Sequence, residues 1–248
     1  MTSARRPIYN APAMKRPRRP NERKPNRRGS IPPLTVKRLS LYLRYLEESA
    51  EANQTTVSSR QAGRALGLTD AQVRKDLAHF GQFGRPGVGY YVEDLAREIR
   101  KIFGTDQVWD VALIGAGRLG RALLGYEGFL KKGFRVSAAF DSNPKRIGRE
   151  FANVRVQPMA ELTEAVASGR FRLAILAVPA EAAQEVTDEL CRAGIRGIIN
   201  FAPVRLAVPE DVAVVPVDLA VQLEQLSYFA NSPTPRKQRR QGKRGGQS

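Results

Sequence analysis

Residues 111–120 read Val111-Ala112-Leu113-Ile114-Gly115-Ala116-Gly117-Arg118-Leu119-Gly120, a short apolar run that passes straight into three glycines spaced GxGxxG. Four consecutive apolar residues predict a strand buried on both faces, as in a parallel sheet. The helical Arg121-Ala122-Leu123-Leu124 follows, so the glycines occupy a strand-to-helix turn. The three glycines serve different ends. Gly115 permits the tight turn, Gly117 lets backbone N–H groups approach a pyrophosphate, and Gly120 lets helix and strand pack closely. The next strand, Arg135 to Phe140, ends in Asp141, twenty-one residues after Gly120. A carboxylate there can accept hydrogen bonds from an adenosine ribose and repels a 2′-phosphate. The pattern predicts an NAD(H) site built from Gly115, Ala116, Gly117, Arg118, Leu119, Gly120 and Asp141. NAD is preferred over NADP, although Lys145 and Arg146 stand nearby as cations.

Downstream the alternation continues, with strands expected at residues 172–178, 197–200 and 212–217 and a helix at 180–193. Strands alternating with helices predict an α/β fold with a Rossmann-type, doubly wound parallel sheet. A last helix, Asp218 to Ala230, carries Leu219, Leu223, Leu226 and Ala230 at helical spacing. That stripe either closes its own core or docks on a second subunit.

Upstream the pattern is helical. Val36, Leu39, Leu43 and Leu46 recur at helical spacing over residues 35–48, with Leu41 and Tyr42 beside them. After a polar stretch, Glu51 to Val57, Ser58 and Ser59 are N-cap candidates for a second helix that stops at Gly67. Thr69 followed three residues later by Gln72 is a capping-box pattern that starts a third helix running to Phe80. Two short helices joined by Gly67-Leu68-Thr69 have the length of a helix-turn-helix. On the third helix Val73, Leu77 and Phe80 share a face, while Lys75 points away, flanked by Gln72 and small residues. Such a face fits a major groove, where Lys reaches guanine and Gln pairs with adenine. Arg74 lies at the side of that helix, within reach of phosphate. Residues 81–92 interleave four glycines with aromatic and β-branched residues and predict a tight hairpin with Arg85 and Pro86 at its tip. This is an N-terminal winged helix-turn-helix domain. With Ser59, the candidate DNA-contacting residues are Ser59, Gln72, Arg74, Lys75 and Arg85.

The chain has 248 residues and a net charge of +17. Residues 1–30 carry ten Lys and Arg against Glu22, and residues 232–248 carry six with no acid, which leaves +2 for residues 31–231. The high charge therefore belongs to two ends with the composition of disordered basic tails. No apolar run reaches the ~18 residues a spanning helix needs, so a cytoplasmic protein without a membrane partner is expected. One cysteine, Cys191, and one histidine, His79, exclude disulfide scaffolds and His/Cys metal clusters.

Both halves together closely resemble the Rex family of bacterial redox-sensing transcriptional repressors. The residues that carry the resemblance are Tyr42-Leu43-Arg44, 72–77 (QVRKDL), Phe80-Gly81, Gly87-Val88-Gly89-Tyr90, 115–120, Gly128-Phe129, Phe140-Asp141, Val178-Pro179, Gly197-Ile198, 200–203 (NFAP) and Val217-Asp218. The match covers roughly residues 34–231. Where the family carries a basic residue directly before Gly-Val-Gly-Tyr, this chain has Pro86, with Arg85 one place earlier.

The resemblance implies a homodimer with swapped C-terminal helices that binds a palindromic operator when the NADH/NAD⁺ ratio is low and is released by NADH. It adds Val178 and Pro179 to the cofactor site, and Arg44 with Asp218 as a pair coupling the two domains. The implied division is a basic tail (1–30), a winged helix domain (31–92), a Rossmann NAD(H)-binding domain (93–217), a swapped helix (218–231) and a second basic tail (232–248).

Two other readings use the same nucleotide fold. An NAD-dependent oxidoreductase would need a general acid or base supplied by a substrate domain, yet the only histidine lies on the third helix and residues 107–231 are used up by the nucleotide fold. A CoA-binding module is the other, since this half also looks like the CoA-binding domains of acyl-CoA ligases.

Overall fold

The computed structural model describes residues 31–231, so both basic ends expected as disordered tails lie outside the described residues. The chain divides into two compact units between Ala96 and Arg97.

The first unit contains α1 (Pro33–Glu51), β1 (Thr56–Val57), α2 (Ser59–Leu66), α3 (Asp70–Ala78) and β2 (Tyr90–Tyr91), after which α4 (Val92–Phe103) carries the chain onward. Proline at the start of α1 costs nothing, because its missing N–H would have no helical partner there. The buried stripe of α1 is Thr35, Leu39, Tyr42, Leu46 and Ser49, not the expected Val36, Leu39, Leu43 and Leu46. Val36 and Leu41 are each 40% exposed. The stripe is rotated because the Thr35 and Tyr42 hydroxyls turn inward to a buried carboxylate, Asp76.

At the start of α2, Ser58 Oγ accepts from the Gln61 N–H at 3.1 Å and Gln61 Oε1 accepts from the Ser58 N–H at 2.8 Å, a complete capping box. Gly67, at φ +68°, ends the helix in the left-handed region. The box expected at Thr69 is only half made. Thr69 Oγ1 accepts from the Gln72 N–H, but the Gln72 amide donates to Asp76 at 2.8 Å; an ionised acceptor makes the stronger bond.

The wing also differs from a simple hairpin. β2 pairs antiparallel with β1, Thr56 opposite Tyr91 and Val57 opposite Tyr90. The turn 85–89 is closed by a single bridge between Arg85 and Gly89. Val57, at the end of a stretch that reads as polar, is 2% exposed. Gly89, at φ +96°, passes so close to β1 that a Cβ would lie 2.5 Å from the Val57 carbonyl oxygen.

The second unit is built from β3 (Trp109–Ile114), α5 (Arg118–Leu124), α6 (Gly128–Lys131), β4 (Phe134–Asp141), β5 (Glu150–Phe151), β6 (Val154–Pro158), α7 (Leu162–Ala167), β7 (Leu173–Leu176), α8 (Ala180–Ala193), β8 (Gly197–Asn200), β9 (Ala213–Pro216) and α9 (Leu219–Asn231). One sheet runs β5-β6-β4-β3-β7-β8-β9. It is parallel except for β5, which pairs antiparallel with β6 at one edge. The chain steps outward from β3 through β4 to β6, then returns to the other side of β3 with β7, which places the switch in winding direction between β3 and β7. Side chains alternate across the strands: Ala112, Ile114, Phe140 and Leu176 pack on one face, Val111, Leu113, Ala139 and Ile175 on the other. β3 is thus covered on both sides. α9 closes no core of its own; none of its residues is buried, and Leu223, Tyr228 and Phe229 are 66–70% exposed.

Candidate functional site

The glycine turn after β3 divides its labour by sterics. Gly115 has φ +96°, and a Cβ there would meet the Ala177 carbonyl oxygen at 2.4 Å. At Gly120 a Cβ would come 1.9 Å from the Gly115 carbonyl oxygen. Nothing lies within 4 Å of a Cβ at Gly117. Two glycines are therefore filled by their own chain, while the third faces open space where a phosphate-bearing ligand can approach the backbone.

That space belongs to a cleft of about 760 Å³ at the carboxyl ends of β3, β4 and β7, the position where open parallel sheets bind ligands. Gly115, Gly117, Arg118, Leu119, Asp141, Val178 and Pro179 line it. Ala116 and Gly120 do not. Ala116 is buried and donates its N–H to Asp141 Oδ2 at 2.8 Å, while Gly120 packs on the Gly115 carbonyl. Arg146, one of the two cations noted beside Asp141, lines the cleft too, and the sequence pattern missed Met159, Glu185 and Glu189, which also line it. These residues fit a dinucleotide: a cradle that a Cβ at Gly117 would invade, and an acid at the end of β4.

In the first unit Ser59 and Arg74 meet. Arg74 Nη1 donates to Ser59 Oγ at 3.1 Å and to Asp70 Oδ2 at 2.8 Å. The Arg74 bond holds the Asp70 carboxyl below the usual range. Lys75 is exposed, and among the described residues no hydrogen bond or ion pair engages it. Gln72 is half-buried and bonded to Asp76. Arg85 sits at the base of the turn, its guanidinium 4.8 Å from the centre of the Tyr91 ring, so the tip itself is Pro86-Gly87-Val88. Arg44 pairs with Glu48 one helical turn on, and Asp218 Oδ1 accepts from the Ala220 N–H at the start of α9. Asp76, with Arg38, was missed as an organising residue; a carboxylate on an otherwise apolar helix face was its only trace. No group of His, Cys, Asp or Glu among the described residues is arranged to hold a metal ion, and no described helix is long and apolar enough to cross a membrane.

A winged unit with an exposed helix, joined to a dinucleotide-type cleft, defines the class of nucleotide-responsive DNA-binding regulators. The family profile described as "CoA binding domain" matches residues 106–204, and the one described as "Putative DNA-binding protein N-terminus" matches residues 30–78. The chain is 47% identical over 199 residues to the redox-sensing transcriptional repressor Rex of Syntrophomonas wolfei, covering 80% of this chain and 95% of that one. Among solved structures it resembles RSP, a Rex-family repressor, in complex with β-NAD⁺ and operator DNA, at TM-score 0.76 and 39% identity over 80% of this chain and 91% of that one. The RSP complex with β-NADH gives TM-score 0.73 and 37% identity over 80% and 93%. The chain belongs to the Rex family of redox-sensing transcriptional repressors.

Proposed function

We propose that this protein represses transcription by binding a palindromic operator when the NADH/NAD⁺ ratio is low, and leaves the operator when NADH enters the cleft at Gly117. The observation that carries this reading is the open space at Gly117 between two occluded glycines, in one cleft with Asp141. The RSP complexes with β-NAD⁺ and operator DNA and with β-NADH support it at 37–39% identity. Gly115, Gly117, Arg118, Leu119, Val178 and Pro179 border the nucleotide, Ala116 and Gly120 shape the turn, and Asp141 receives the ribose. When bound, the nicotinamide nucleotide supplies a redox signal through its occupancy.

Lys75 reads base edges, Arg74 and Ser59 contact phosphate, Gln72 orients the helix, and Arg85 supports the wing. The protein works as a homodimer, with the apolar and unburied α9 exchanged between subunits. NADH releases the DNA only if it binds the released form more tightly than the bound one. Arg44 and Asp218 form the pair that links the two units in one of these states.

The protein acts in the cytoplasm and is not an enzyme. Two of the three acids in the cleft have occupations of their own: Asp141 is taken by Ala116, Asn143 and Arg146, and Glu189 accepts from Thr163 Oγ1 at 2.5 Å; the third, Glu185, lies exposed at its rim. An operator gel shift titrated with NADH and with NAD⁺ tests the proposal; release by NADH at concentrations where NAD⁺ leaves the complex intact is the expected result, and no response to either overturns it. The match of residues 106–204 to a CoA-binding profile favours CoA as a second ligand. Calorimetry with NADH and with CoA separates the two.

A further inference from the structure

The acid proposed to receive the ribose is fully engaged by its own chain. Asp141, 4% exposed, accepts at Oδ2 from the Ala116 N–H at 2.8 Å and from Arg146 Nη1 at 3.0 Å. At Oδ1 it accepts from the Asn143 N–H at 2.7 Å and from the same Nη1 at 3.4 Å. A carboxylate offers about four lone-pair sites. Three donors share these sites, with Arg146 Nη1 lying across both oxygens, so a sugar hydroxyl that approaches Asp141 competes most directly with that shared guanidinium nitrogen.

The two backbone donors are poorly placed to yield. Ala116 is completely buried in the turn after β3, and Asn143 is fixed in its own turn by accepting from the Lys145 N–H at 2.9 Å. Arg146 is different. Its side chain is 42% exposed and lines the same cleft, so it can leave Asp141 at modest cost, as partly exposed ion pairs do.

We propose that Arg146 sets how strictly the cleft rejects a 2′-phosphorylated nucleotide: it caps Asp141, and once displaced it is the cation that a 2′-phosphate meets. This rests on the NAD(H) reading above. An NADH ribose must compete with the guanidinium for Asp141. NADPH brings a phosphate to which the guanidinium can turn, which offsets the repulsion between that phosphate and Asp141. Arg146 thus handicaps the first nucleotide and shelters the second. Lys145 does not duplicate it, since it is not among the residues lining the cleft.

The test is calorimetry of NADH and of NADPH on the full-length wild type, R146Q and R146K, with thermal melts to establish that each variant is folded. The pyrophosphate is common to both nucleotides, so its response to a lost positive charge cancels in the ratio of their dissociation constants. R146Q should raise the NADPH/NADH ratio about tenfold, the worth of one charge-assisted bond, while R146K, which keeps the cation, should stay near the wild type. A ratio for R146Q within twofold of the wild type, or lower, overturns the role; a purely structural Arg146 would give that result by weakening both nucleotides alike. A wild type that binds neither nucleotide overturns the NAD(H) reading itself and this inference with it.

Discussion

Arg38 of α1 grips the buried Asp76 of α3 with the Nε–Nη2 edge of its guanidinium, Nε lying 2.5 Å from Oδ2 and Nη2 2.8 Å from Oδ1. The Tyr42 hydroxyl donates to Oδ2 at 2.7 Å and the Gln72 amide to Oδ1 at 2.8 Å. Burial pushes the Asp76 carboxyl up, but the bonds from Arg38, Tyr42 and Gln72 outweigh it and hold it below the usual carboxylate range. Burial and the bond to Asp76 push the Tyr42 hydroxyl well up, so it remains a donor. The helix carrying Lys75 is thereby fixed to α1 by charge as well as by Leu39, Val73 and Leu77, all buried.

Arg38→Met should destabilise the DNA-binding unit by about 3 kcal/mol, because it leaves a buried carboxylate uncompensated. Operator binding should fall with it, while NADH affinity should hold. Denaturant melts and calorimetry on the same sample check both halves. Asp76 has a folded value below its unfolded one, so its contribution is fully present above the ordinary carboxylate range, near pH 4, and is lost as pH falls through the folded value.

Lys75→Ala should cost about 1–3 kcal/mol on operator DNA and relax specificity, since its ammonium is exposed and free to reach bases. Arg74→Ala should weaken operator and scrambled duplex alike and flatten the salt slope. Gln72→Ala should also act without regard to sequence, because its amide faces Asp76. Binding isotherms on both duplexes at several salt concentrations decide; a Gln72 effect confined to the operator would restore it as a base reader.

Asp141→Ala should narrow the gap between NADH and NADPH. Both nucleotides should also bind more weakly, because Asp141 anchors the Ala116 N–H in the glycine turn. The ratio of the two dissociation constants is therefore the diagnostic quantity. Equal wild-type affinity for the two nucleotides would contradict the role of Asp141.

Asp110, at the start of β3, is held down to about 2, first by the hydrogen bond from Arg135, against the opposing effect of burial. Its folded value lies below the unfolded one, so it stabilises the sheet above pH ~4 and loses that contribution as pH falls toward 2. Asp110→Asn should cost about 1–2 kcal/mol at neutral pH, discounted for the exposed Arg135. Thermal melts from pH 7 to pH 2.5 should show a shallower acid limb in the variant.

Leu223→Asp in α9 should convert a dimer to a monomer without unfolding the sheet, because Leu223 is 66% exposed within the chain. Sedimentation equilibrium reads the assembly state. A dimer of undiminished stability would show that α9 is not the contact.

The strand-turn-helix at 111–124 and the acid at 141 were legible because each rests on local pattern: an apolar run, three glycines at fixed spacing, a carboxylate closing the next strand. The caps at Ser58, Thr69 and Gly67 were legible for the same reason, since a helix end is satisfied within a few residues. α8 and β8 stand where their periodicity places them, at 180–193 and 197–200. The short β5–β6 ribbon and α7 left too little periodicity to be read, whereas α4 went unread although Val92, Leu95, Ala96 and Ile99 recur at helical spacing and are all buried.

Sequence alone therefore determined the helical first half, the alternation of strands and helices in the second, and the cradle at Gly117, because those follow from spacing along the chain. Tertiary structure decided which strand the wing joins, pairing Tyr90-Tyr91 with Thr56-Val57 across the unit, and which face of α1 turns inward. It decided too that Asp76 would gather Thr35, Arg38 and Tyr42 from 34–41 residues away. The reason is one of range. A buried carboxylate must find donors wherever folding brings them, and a strand edge pairs with whatever strand arrives beside it, so neither partner leaves a mark in the periodicity of its own segment.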